Sequence, residues 1–98
     1  MTKIEAVKHD RIRKLILDAL AKQYPNVLDT VVLRRYLATF GYPMTHGDLS
    51  AYIAYLKEKE LVKEDRRPGD IVMVSITSRG IDVLDERIMI EGVGQDLD

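Results

Sequence analysis

Residues 41–61, GYPMTHGDLSAYIAYLKEKEL, limit the possible folds of this chain more than any other stretch. Leu49, Tyr52, Ile53 and Leu56 recur at helical spacing and make one apolar stripe. Thr45, with Asp48 three residues later, marks a helix start, because a hydroxyl and a carboxylate there satisfy free first-turn amides. Just upstream, Phe40-Gly41-Tyr42-Pro43-Met44 ends a preceding helix. Gly41 stands where a left-handed residue is commonly needed, and Pro43 blocks continuation. So short a turn makes the next helix cross the previous one steeply. The presented helix is expected over Thr45 to Glu60.

The flanking segments fit around this corner. Lys8 to Tyr24 reads as a first helix with Ile12, Leu15, Ile16, Ala19 and Leu20 on one face, ended by Pro25. Asn26-Val27-Leu28 suits a connector or a brief edge strand. Asp29 or Thr30 caps a second helix to about Phe40, whose inward stripe is Val32 or Leu33, Tyr36, Leu37 and Phe40. Beyond Glu60, Leu61 to Asp65 leads into the turn Arg66-Arg67-Pro68-Gly69-Asp70. Ile71 to Ile76 is β-branched and reads as a strand, with Val72, Val74 and Ile76 on one face. Thr77-Ser78-Arg79-Gly80 opens a last helix carrying Ile81, Leu84 and Ile88 on one side. Residues 91–98 are glycine-rich and acidic, which predicts a frayed, flexible tail behind a single domain over 1–90. The expected class is α+β: a winged helix-turn-helix with a three-helix core, a β-hairpin wing and a C-terminal helix.

Composition narrows the function classes. Ninety-eight residues with 46% apolar content suit one domain with its own core. The absence of cysteine removes disulfides and thiolate metal sites. No apolar run is long enough to span a membrane, and MTKIEAVKHDRIRK lacks a signal-peptide layout, so a soluble cytoplasmic protein is expected. The net charge of −1 hides an asymmetry. Residues 1–80 carry a net of +4 and residues 81–98 a net of −5. A mildly basic body is compatible with phosphate contact.

Opposite its apolar stripe, the helix over 45–60 shows Gly47, Ala51, Ala54 and Glu58, flanked by Ser50, Tyr55 and Lys57. Such a face suits either a major-groove floor or a partner helix. It has no Arg, Asn or Gln fork, the groups behind sharp base readout. Arg66 and Arg67 beside Pro68-Gly69 form the stronger electrostatic signal, suited to phosphates or a narrow minor groove, although Asp65 and Asp70 can neutralise them. The candidate DNA-contacting set is therefore Thr45, His46, Ser50, Ala51, Tyr55, Lys57, Arg66 and Arg67. His9, Arg11, Arg13 and Lys14 read as a solvated face or as phosphate contacts. His46, Asp48 and Ser50 lie within one turn, but adjacent helix positions offer neither an oriented base nor an oxyanion hole. Two separated histidines and no GxxxxGK loop make zinc and nucleotide sites unexpected. A non-enzymatic protein without cofactor or metal is expected.

Residues 28–62 resemble the helix-turn-helix of bacterial winged-helix regulators. Ile76-Thr77-Ser78-Arg79-Gly80-Ile81-Asp82-Val83-Leu84 resembles the strand, Leu/Ile-Thr-x-x-Gly, helix exit that follows the wing in such proteins, including the multiple-antibiotic-resistance (MarR) regulator type. Over its whole length, with Glu91-Gly92-Val93 near the end, the chain is similar to a family of small winged-helix proteins of Mu-like prophages. That resemblance implies double-stranded DNA as partner, phage gene control as the role, and homodimerisation. The competing expectation is a protein-interaction module of the same fold, docking a partner through Gly47-Ala51-Ala54 or Ile81-Leu84-Ile88.

Overall fold

The computed structural model describes residues 2–94. Helix α1 spans Lys3–Gln23, α2 Thr30–Thr39 and α3 His46–Glu58. A short strand β1 (Leu28–Asp29) precedes α2, the hairpin β2 (Val62–Arg67) and β3 (Ile71–Ile76) follows α3, and α4 (Ser78–Leu84) closes the order. The sheet is antiparallel in the order β1-β3-β2, with Leu28 opposite Val74 and Glu64 opposite Val74 on the other side. Asp29 serves twice, ending β1 and capping α2 by accepting from the Val31 amide at 2.8 Å.

The helix-turn-helix corner follows from its local chemistry. Gly41 has φ +87°. Its amide bonds to Ala38 O at 3.0 Å and that of Tyr42 to Leu37 O at 3.2 Å, a Schellman closure that satisfies the last carbonyls of α2. Thr45 then caps α3: its hydroxyl accepts from the Asp48 amide at 3.1 Å while the Asp48 carboxylate accepts from the Thr45 amide at 3.3 Å. Asp48 is thus occupied as a helix cap. At the far end α3 closes in the same way through Glu60 at φ +64°, with the Leu61 amide on Leu56 O at 2.9 Å.

The core lies between the three long helices and one sheet face. Ile12, Ile16 and Leu20 of α1 meet Leu33 and Leu37 of α2, Leu49, Ile53 and Leu56 of α3, and Val74 and Ile76 of β3, all buried. Each such side chain contributes about 1.5–3 kcal/mol of transfer free energy. Thr77 caps α4 at the Gly80 amide, and Gly80 lies against Leu61 and Ile76.

Several boundaries differ from the sequence reading. Helix α1 begins at Lys3 instead of Lys8, because Thr2 and Glu5 form a capping box ahead of it. Phe40 is 48% exposed, since α2 ends at Thr39 and Phe40 is its cap, its ring edge-on to Tyr36 at 5.0 Å. Leu33 faces the core, whereas Val32 is exposed. Arg66 and Arg67 belong to β2, paired with Val72 and Ile71, and the loop is only residues 68–70. Helix α4 stops at Leu84, so Ile88 lies beyond it. Glu91–Gly94 is packed rather than frayed, with Val93 3% exposed in the core. Residues 95–98, the remainder of the expected tail, lie outside the described residues.

Candidate nucleic-acid interface

Helix α3 is open on one side. Leu49, Ile53 and Leu56 are buried, whereas His46, Gly47, Ser50, Ala51, Ala54, Lys57 and Glu58 are exposed. The two flanks of this open strip are different. Ser50 and Lys57, two helical turns apart, share the flank that faces β2. Lys57 Nζ donates to Glu64 Oε1 at 3.4 Å, and Arg66 Nη2 lies 3.4 Å from the same oxygen. The Glu64 side chain is 14% exposed, but those of Lys57 and Arg66 are 58% and 74% exposed. One carboxylate at the floor of the seam therefore gathers a cation from the helix and a cation from the hairpin, and both cations remain wet.

Strand alternation separates the two arginines. Arg66 shares the Glu64 face and looks toward α3. Arg67 falls on the other face, where its Nε donates to Asp65 Oδ2 at 3.1 Å. The expected arginine pair is thus one cation beside α3 and one behind it. Thr45 and His46 occupy the exposed start of α3, with Thr45 committed to capping.

Tyr55 is drawn to the opposite flank. Its hydroxyl donates to Glu91 O at 2.9 Å, and the Arg13 guanidinium carbon sits 3.7 Å from its ring centroid. Arg13 Nη1 also donates to Gly92 O at 2.9 Å and lies 3.7 Å from Asp10. This arrangement fastens α1, α3 and residues 91–92 together, so Tyr55 is a packing residue here and its hydroxyl is occupied. On the same flank His9 Nδ1 is 2.6 Å from Tyr52 Oη. Burial pushes the Tyr52 phenol above its ordinary value of 10.0, with Asp48 adding to the rise and Arg13 opposing it. His9 and Arg13 are therefore partners of α3 tyrosines, not part of a solvated face. A groove of about 670 Å³ runs between α1 and α3, bounded by Arg13, Tyr42, Met44, Asp48, Ala51 and Tyr52.

Sequence reasoning missed Glu64, and it gave His9, Arg13 and Tyr52 none of the contacts that join them here. Inward alternation from Val62 to Glu64 was the one available signal for Glu64. Among the described residues no helix is long and apolar enough to cross a membrane.

No family model matches the chain, and no curated protein sequence matches it. Among solved structures it is similar to RosR of H. salinarum, with a TM-score of 0.68 and 22% identity over 78% of this chain and 67% of RosR. The chain has the winged-helix fold. The β2–β3 hairpin is accordingly its wing, and α3 is the helix that the turn presents beside it. Wing and helix meet at Glu64.

Proposed function

We propose that this chain is a DNA-binding winged-helix protein acting as a transcriptional regulator, with α3 and the wing laid against a duplex. The observation that carries this reading is the convergence of Lys57 and Arg66 on one seam, both exposed, beside a helix face of small residues. Gly47, Ala51 and Ala54 allow close backbone approach, and the two cations suit phosphates on either side of the groove. The face offers no Arg, Asn or Gln, so recognition leans on phosphate contact and duplex shape more than on base edges. Gene control in a Mu-like prophage extends the proposal and rests on sequence resemblance alone. A homodimer would set two such faces on successive turns of DNA; Ile4, Val7 and Met89 expose apolar side chains for pairing.

A salt titration of binding to a labelled duplex tests the reading. Neutralising phosphates releases counterions, so affinity falls linearly on a log–log plot with a slope of about −0.9 per phosphate. Measurable binding at about 50 mM salt that weakens steeply by about 200 mM is expected. No binding at the lower salt would refute it.

The same small-residue face favours a second reading, docking of a protein partner. Ala51→Glu then abolishes that assembly, while Arg66→Ala with Arg67→Ala leaves it intact; the reverse pattern defeats it.

A further inference from the structure

We propose that Glu64 is a built-in electrostatic brake on the nucleic-acid surface, setting its affinity below what its cations would deliver. The inference rests on the DNA-binding reading above and assigns a regulatory role to a residue within that same seam.

Three observations carry it. First, Glu64 Oε1 is shared by Lys57 and Arg66 at 3.4 Å each, so one negative charge faces two positive ones. Second, mobility is unequal. Glu64 is fixed in the β2–β3 ladder opposite Val74, with its side chain 14% exposed, whereas the two cations sit at the end of long side chains that are 58% and 74% exposed. An arriving phosphate can draw both cations away from the carboxylate. It cannot displace the carboxylate, which then stands uncompensated at the floor of the seam. Third, these contacts are poor candidates for holding the wing in place. Ion pairs made by cations as wet as these add little to stability, and β2 is already joined to β3 along its whole length. A carboxylate that contributes little to the fold and repels the proposed ligand acts mainly on affinity.

The test compares the wild-type chain with Glu64→Gln, which keeps shape and loses charge. Binding to a fluorescein-labelled duplex is followed by anisotropy across a salt series, with circular dichroism confirming the fold. Glu64→Thr, suited to a strand, is the second variant should Gln disturb folding. Glu86→Gln, just beyond α4 and outside the seam, controls for net charge alone.

The brake predicts tighter binding by Glu64→Gln and a slope steeper by up to about 0.9. The advantage over wild type is then about threefold larger at about 50 mM than at about 200 mM salt. Binding by Glu64→Gln that persists to salt concentrations at which the wild-type chain no longer binds supports the same account. If the wild-type chain binds duplex and a folded Glu64→Gln binds no tighter, or no tighter than Glu86→Gln, the brake is overturned and the DNA reading stands. If neither binds, both fall together.

Discussion

Gly80→Ala and Gly47→Ala place the same small change in two helices, and the packing gives them opposite signs. Alanine in place of glycine inside a helix ordinarily stabilises by about 0.5–1 kcal/mol. At Gly47 nothing opposes that gain, since the nearest atom to an added Cβ is Thr45 Oγ1 at 3.8 Å. At Gly80 the added Cβ would overlap the Leu61 carbonyl oxygen and approach Ile76 Cγ1 to 2.6 Å. Leu61 O already accepts from the Thr77 amide at 3.0 Å, and both Leu61 and Ile76 are buried, so neither can yield without moving the junction between α4 and the sheet. With a main-chain oxygen as the nearest obstacle, overpacking here lies in the upper part of its range, about 2–3 kcal/mol, which leaves a net loss of about 1–2 kcal/mol after a propensity gain of about 1 kcal/mol. For a domain of this size that lowers Tm by about 4–16 °C, whereas Gly47→Ala raises it by a few degrees. Thermal unfolding followed by circular dichroism reads both. A Gly80→Ala protein as stable as the wild type would refute the close approach that defines this junction.

Other expectations follow from single contacts. Glu60 holds a left-handed conformation at φ +64°, so Glu60→Gly relieves strain and raises stability by about 0.5–1 kcal/mol in urea unfolding; a loss would count against that C-cap. Arg13→Met removes the donor to Gly92 O and the cation above the Tyr55 ring, costing about 1–2 kcal/mol. Amide exchange at Val93 should quicken in that variant, and unchanged protection would contradict the docking of residues 91–93. The raised Tyr52 phenol retains its proton in the folded chain after unfolded tyrosine has begun to lose it, so its contribution to stability is complete below pH 10.0 and is lost as pH rises through the folded value. Tyr52→Phe should delete the latest tyrosinate step in an alkaline absorbance titration; a step that persists would mean another tyrosine carries it.

What could be read in advance was what local chemistry specifies. The Gly41 closure, the Thr45–Asp48 cap and the Thr77–Gly80 exit are all settled within a few residues, and each is present in the fold. Thr2–Glu5 had the same kind of signal, yet the first turns of α1 bury no side chain, so the core stripe that marks the helix starts only at Ile12. Phe40 continues the α2 stripe in sequence, but it stands one residue past the helix end and so turns outward. The site was less legible because its partners are far apart along the chain. Arg13 meets Gly92 across 79 positions and His9 meets Tyr52 across 43, so no spacing rule connects them. Tyr55 looked like a free aromatic on an open face until residues 91–92 folded back over it. The two arginines looked alike until strand alternation sent Arg67 to the far side.

Backbone amide shift mapping of the isotope-labelled chain during addition of a duplex at low salt reads out which face meets DNA. Docking through α3 and the wing places the largest shifts at Gly47–Lys57 and at Glu64–Ile71. Shifts confined to the first turns of α1 and to the region of Met89, with α3 and the wing unmoved, would contradict it.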